Sequence, residues 1–384
     1  MREHDFYTDP RGLRLRLCSW GPPAGRPTLI LHGYLEQAAA WDEVACALDR
    51  RVVAPDHRGH GLSDHVGAGG WYYFWDYVRD VDAVIDHIGG PVDLVGHSMG
   101  GTIATLLAAT RPEKVRRLVL IEGLGMPDAR HEAMDRARQF LDARTDPPRH
   151  STFSGPEEAA ARLQRASPRL SDARALALAT RVLCRVTSEV GEDGCYPCFD
   201  DPGARPSIRH ISRSPGTPVR SGETPAGAER SIGAGPAVDA QQGGPRRGGF
   251  PAAQPQREGP ARMDPEREAA NYRGPPGVPS DGSRGGSTVD GSTERWTWTW
   301  DPLHRGRSPV PFNAELHTGF LAALRCPTLL IDGADSPWRP PDGPQRARAI
   351  AQATSLTLPN AGHMVHHDAP LPLAAAICRF LDAP

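Results

Sequence analysis

Long apolar runs are missing from this 384-residue sequence. None approaches the roughly 18 consecutive apolar residues of a membrane span. Met1-Arg2-Glu3-His4-Asp5 also lacks the apolar stretch of a secretory signal. These absences predict a cytoplasmic protein with no membrane partner. An excess of charge is missing too. The formal net charge is −2, so a nucleic acid or an acidic membrane surface finds no basic field to bind. Cysteine is sparse, with seven residues scattered along the chain. Cys18, Cys46, Cys326 and Cys378 lie in or beside apolar runs, which reads as reduced buried thiols and excludes a disulfide framework. Cys195 and Cys198 form a single C-x-x-C. No second pair or flanking histidine couple completes a zinc site, and no strand leads into the motif as a redox site requires. Leucine is absent from residues 187–295, where runs such as Gly243-Gly244-Pro245-Arg246-Arg247-Gly248-Gly249 supply no periodic apolar face. Little burial is available there to offset the entropy of ordering a chain, so no packed structure is expected.

An apolar fraction of 39% is enough to build a core elsewhere. Short apolar runs at residues 28–31, 52–55 and 115–121 have the character of strands buried on both faces, and residues 13–20 alternate as a strand does. Between them, Trp41, Val44, Ala45 and Leu48 repeat at helical spacing, as do Tyr77, Val81, Val84, Ile85 and Ile88. Strands alternating with helices predict a mostly parallel sheet with right-handed crossovers and helices on both faces. Towards the C-terminus, residues 312–324 read as a helix, 328–331 and 355–358 as strands, and 371–381 as a closing helix.

The chain is organised around Val92-Asp93-Leu94-Val95-Gly96-His97-Ser98-Met99-Gly100-Gly101. An apolar run ends at Gly96, a small-residue helix begins near Thr102, and Ser98 stands on the bend. Glycine two before and two after the serine lets a strand double back into a helix, and the helix aims its N-terminal N–H groups at a developing oxyanion. Acyl transfer needs that arrangement.

Three further motifs accompany it: Leu31-His32-Gly33, Asp56-x-Arg58-Gly59-x-Gly61-x-Ser63-Asp64, and Leu358-Pro359-Asn360-Ala361-Gly362-His363-Met364-Val365. With all four in this order, the chain resembles the α/β-hydrolase family over about residues 10–185 and 296–384. The resemblance implies that Ser98 is the nucleophile and His363 the base, with the backbone N–H groups of Tyr34 and Met99 forming the oxyanion hole. It implies no cofactor and no metal, and a small-molecule acyl substrate as partner. A serine at the elbow separates the chain from dehalogenases and epoxide hydrolases, which carry aspartate there. The expected activity is cleavage of a carboxylic ester or related acyl bond of a small apolar molecule through an acyl-enzyme. Carbon–carbon bond hydrolysis, or a catalytically silent hydrolase fold, stands as the alternative.

The triad acid has two candidates. The residue three past Gly333, where the family usually has aspartate, is Ser336, and Asp335 is one position short. Glu122, at the end of the sixth strand, resembles the acid of the haloalkane-dehalogenase branch and is preferred. Among the remaining histidines, His32 reads as a packing residue of the oxyanion loop, His97 as structural, and His366 and His367 as surface residues of the following helix. The resemblance divides the chain into a first core segment (1–127), a helical cap (128–186), the leucine-free insert (187–295), and a cap return with the second core segment (296–384). The insert is either a natural disordered insertion in the cap or an out-of-frame segment.

Overall fold

The computed structural model describes residues 3–9, 12–67, 69–143, 148–186 and 295–383. The insert expected at 187–295, with its Cys195 and Cys198, lies outside the described residues except for Arg295, which opens a strand.

A central sheet takes its first six strands from β1 (Glu3–Thr8), β2 (Arg14–Trp20), β3 (Thr28–Leu31), β4 (Val52–Pro55), β5 (Val92–His97) and β6 (Val115–Ile121). The chain then forms a separate antiparallel pair, β7 (Leu183–Val186) and β8 (Arg295–Trp298), before returning to the sheet as β9 (Thr328–Gly333) and β10 (Ala353–Leu358). The order is β1-β2-β4-β3-β5-β6-β9-β10, antiparallel for the pairs β1·β2 and β2·β4 and parallel from β4 onwards. Every residue of β3, β4 and β5 is buried, as runs without polar alternation require when helices cover both faces.

Ten helices accompany the strands among the described residues: α1 (Asp42–Ala47), α2 (Phe74–Ile88), α3 (Met99–Thr110), α4 (Ala133–Asp142), α5 (Pro156–Ala166), α6 (Asp172–Val182), α7 (Ala314–Ala322), α8 (Gly343–Ala349), α9 (Val365–Asp368) and α10 (Pro370–Asp382). On one face of the sheet, Trp41, Val44 and Leu48 pack with Leu373, Ile377 and Leu381 of α10. On the other face, Val81, Val84, Ile85 and Ile88 of α2 pack with Ile103 and Leu107 of α3. The element α2 ends where Gly89 takes up φ 81°, a left-handed conformation that costs glycine no steric strain.

The strand β1 was not expected from the sequence. It is an edge strand whose residues 5–8 are exposed or half-buried, so it carries no run of apolar residues to betray it, and only its pairing with β2 reveals it. The helix α6 stops at Val182, because Leu183 and Cys184 are drawn into pairing with Trp298 and Thr297.

Helices α4–α6 and the β7·β8 pair make up the segment after the sixth strand. Its α6 docks through Ala175, Leu178, Ala179 and Val182, all buried in the same cluster as Trp41. At roughly 1.5–3 kcal/mol for a fully buried leucine-sized side chain, this apolar face outweighs the partly exposed ion pairs of Arg174 and Arg181 with Asp42, at 3.0 and 2.6 Å, each contributing about 0–1 kcal/mol.

Val186 and Arg295 are paired across the β7·β8 ladder, so the chain leaves and re-enters at adjacent points. Replacing residues 187–294 by Asn-Gly, a two-residue hairpin turn, is therefore expected to change the melting temperature by no more than about 3 °C, a shift of roughly 1 kcal/mol. Loss of cooperative melting in the shortened protein would show that the cap depends on what was removed.

Candidate active site

The site forms where β3, β5, β6 and β9 end side by side. Ser98 follows β5 with φ 51° and ψ −115°, and Glu122 follows β6 with φ 49°. Non-glycine residues pay about 1–3 kcal/mol for such positions, and here both side chains are turned out of the sheet towards one point. The glycines around Ser98 are required by close approach rather than by flexibility. A Cβ on Gly96 would lie 2.5 Å from Gly100 O, one on Gly100 2.3 Å from Leu31 O, and one on Gly101 2.6 Å from Gly123 Cα. The bend thus wedges the start of α3 between the ends of β3 and β6.

His363 follows β10 by a short loop and reaches both neighbours. Its Nε2 is 3.1 Å from Ser98 Oγ and its Nδ1 is 3.3 Å from Glu122 Oε2. The carboxylate of Glu122 is buried and accepts two more hydrogen bonds, from Gly333 N at 2.8 Å and from Ser336 Oγ at 2.6 Å. Burial pushes the His363 pKa below its ordinary value; the Glu122 hydrogen bond works against that shift and the neighbouring His97 works with it. A hydroxyl within hydrogen-bond reach of a neutral imidazole, itself oriented by a carboxylate, can lose its proton as it attacks an acyl carbon.

Asp335 is not brought to this point. Its side chain pairs with Arg169 at 2.7 Å on the surface, where the two side chains are 49% and 44% exposed. Ser336, in the position where the family usually has aspartate, instead donates to the Glu122 carboxylate. The sequence carried that signal in the substitution itself.

Tyr34 lies just beyond β3 and Met99 opens α3, and the pairing of Leu31 with Gly96 sets the two loops beside each other. The Tyr34 hydroxyl donates to His304 O, and its ring stands edge-on to the His304 ring at 5.8 Å, which ties the loop after β3 to the turn that follows β8. His32 is fully buried, with Nδ1 2.7 Å from Gly33 O, and its Nε2 accepts from His57 N at 2.9 Å. It packs and braces the loop as expected.

His366 and His367 correct the expectation of surface histidines. His366 is fully buried, stacked on Trp41 at 4.2 Å, and the His367 side chain is only 4% exposed. Both face Glu36, with Nε2 atoms 2.9 and 4.0 Å from its Oε1. The reason is that the two side chains are turned inward, towards Trp41 and Glu36, from a helix of only four residues. Glu36 itself was not singled out from the sequence, because a lone glutamate in a loop carries no pattern.

The eight-stranded sheet with its reversed second strand, and the strained serine on the bend between β5 and α3, define the α/β-hydrolase fold. Residues 27–152 match the model of the α/β hydrolase fold. Among curated proteins it is similar to a serine hydrolase-like protein of Danio rerio, 40% identical over 109 residues, which are 28% of this chain and 33% of that protein. It is also similar to the monoglyceride lipase of Homo sapiens, 38% identical over 117 residues, 28% of this chain and 39% of that one. Among solved structures it resembles a thioesterase domain from the curacin biosynthetic pathway, with a TM-score of 0.63, 26% identity, and 98% of each chain covered. The matches span between a third and just over half of the length of the first curated relatives.

Proposed function

We propose that the protein is a serine hydrolase that cleaves a carboxylic ester, or a related acyl bond, of a small apolar substrate through an acyl-enzyme. The observation that carries this reading is the unbroken chain Ser98 Oγ, His363 Nε2, His363 Nδ1, Glu122 Oε2, with steps of 3.1 and 3.3 Å, set on a strained elbow. In the first half-reaction Ser98 Oγ bonds to the acyl carbon while His363 Nε2 takes its proton. Glu122 holds the Nδ1–H tautomer and balances the imidazolium that forms. The backbone N–H groups of Met99 and Tyr34 are the donors proposed for the oxyanion. His363 then passes its proton to the leaving alcohol, and water, activated by the same histidine, releases the acid.

An apolar acyl group suits the surroundings. The Trp338 ring lies 5.7 Å from that of His363, and Trp338, Met126 and Tyr34 are all partly exposed. The names of the relatives, a lipase and serine hydrolase-like proteins, agree with acyl chemistry. In this reading residues 128–186 and the return after Arg295 form the cap that selects the substrate, interrupted at 187–294. The free thiols of Cys18, Cys46, Cys184, Cys326 and Cys378 suit a reducing compartment.

The test is a fluorophosphonate probe followed by a panel of p-nitrophenyl esters of increasing acyl length. Stoichiometric labelling at Ser98 and a preference among the esters are expected. Because only neutral His363 can accept the proton, kcat/KM should rise with pH through a midpoint below the ordinary histidine value of 6.5 and stay level above it. A folded protein that takes up no probe would overturn the reading in favour of a silent hydrolase fold.

A further inference from the structure

We infer that His97 is a buried imidazolium, clamped by Glu36, and that the pair acts as a positioning device joining the oxyanion loop, the nucleophile elbow and the His363 loop. The inference rests on the function proposed above for Ser98 and His363. His97 is 1% exposed and stands one residue before Ser98. Its Nδ1 is 3.0 Å from Glu36 Oε2 and its Nε2 is 2.9 Å from the backbone oxygen of His363. A carboxylate and a carbonyl only accept, so each ring nitrogen must donate and the ring carries two protons. A neutral ring would set a bare nitrogen against an oxygen lone pair and leave two buried acceptors opposed.

The neighbouring histidine makes no such demand. His366 has one acceptor within reach, Glu36 Oε1 at 2.9 Å, which calls for no more than one ring proton. Burial by itself would disfavour the His97 charge, but the Glu36 carboxylate and the His363 carbonyl raise its pKa above the ordinary value. Glu36 in turn is held well below the usual carboxylate range: burial opposes this, and His366 and His97 overcome it. The titratable groups that face His97 are Glu36 from the loop after β3, Glu122 from the end of β6, and His363, His366 and His367 from the loop and helix after β10.

The consequences fall on three parts of the site. Gly33 N donates to the same Glu36 Oε2 at 2.6 Å, which fixes the peptide preceding Tyr34. Glycine is needed there, because a Cβ would lie 2.7 Å from that oxygen and 2.8 Å from His97 Nδ1. The His363 backbone is held by His97 while its side chain reaches Ser98, so the base is fixed at both ends. The ring centroids of His97 and His363 are 5.0 Å apart, and a positive charge at that range disfavours protonation of the base in the resting enzyme.

The experiment is histidine ring NMR on the full-length, ¹⁵N-histidine-labelled protein, with the p-nitrophenyl ester assay beside it. In the wild type, one imidazole is expected to lose its second proton only above the ordinary histidine value of 6.5, and its signal should vanish in His97→Gln. The His363 midpoint should rise in that variant. Turnover should drop by about 10²-fold, the cost of a misplaced reacting group, in kcat rather than in KM. Glu36→Gln should release the second proton of His97 while His97 is still present. A wild-type His97 that titrates at or below pH 6.5, or an unmoved His363 midpoint in His97→Gln, would overturn the inference. Should His97→Gln fail to fold, the wild-type titration decides. The ring titrations need no turnover, so an enzyme inactive on esters would refute the proposed function and leave this test standing.

Discussion

Ser98→Ala is expected to abolish fluorophosphonate labelling and to lower ester turnover by about 10⁶-fold, the scale of loss seen when a serine nucleophile is removed. The fold should survive. Alanine at φ 51° is no more strained than serine, and the contacts that force the bend belong to Gly96, Gly100 and Gly101. The lost hydroxyl leaves His363 Nε2 without its donor, but a histidine side chain that is 19% exposed can accept from water instead. Thermal melting checks the first point and steady-state kinetics the second. Retention of more than about one part in a thousand of wild-type kcat, above what an oxyanion hole and binding alone provide, would place the nucleophile elsewhere.

Glu122→Gln carries the next largest effect, and the geometry gives its direction. Gly333 N–H points at Oε1, so the glutamine will set its carbonyl oxygen there and its amide nitrogen where Oε2 was. That amide faces Ser336 Oγ, which can rotate to accept, and His363 Nδ1, which cannot accept while it carries its proton. The histidine is then forced into the tautomer with Nε2 protonated, unable to take a proton from Ser98. We expect kcat to drop by about 10⁴-fold, as when the triad aspartate is made an amide, with KM little changed. Asp335→Asn breaks only a half-exposed surface pair with Arg169 and should leave kcat within a few-fold. If Asp335→Asn were the crippling change and Glu122→Gln the mild one, the two carboxylates would exchange roles.

Much of the fold was legible because the signals are local. The runs Thr28–Leu31, Val52–Pro55 and Val115–Ile121 became strands with the expected bounds, and Phe74–Ile88 became the helix its periodicity described. The strand β1 was not legible, since half-exposed pairing at a sheet edge leaves no apolar pattern. Nor was the β7·β8 pair, whose two strands are separated by residues 187–294 and identify each other only by meeting.

The same division runs through the site. By itself the sequence determined the bend at Ser98, because glycines at 96, 100 and 101 answer to backbone atoms a few ångströms away, and it brought His363 forward through the short motif around it. It left the acid open between Glu122 and Asp335, and the buried glutamate at position 36 unseen. Only the tertiary structure decided which carboxylate lies beside His363 and where Glu36 is buried, for these contacts join residues far apart in the chain: His363 to Glu122 across 241 positions, and Glu122 to Ser336 across 214. Which carboxylate a histidine meets depends on how neighbouring strand ends are aimed, and that is set by sheet order and backbone strain rather than by any residue's immediate neighbours.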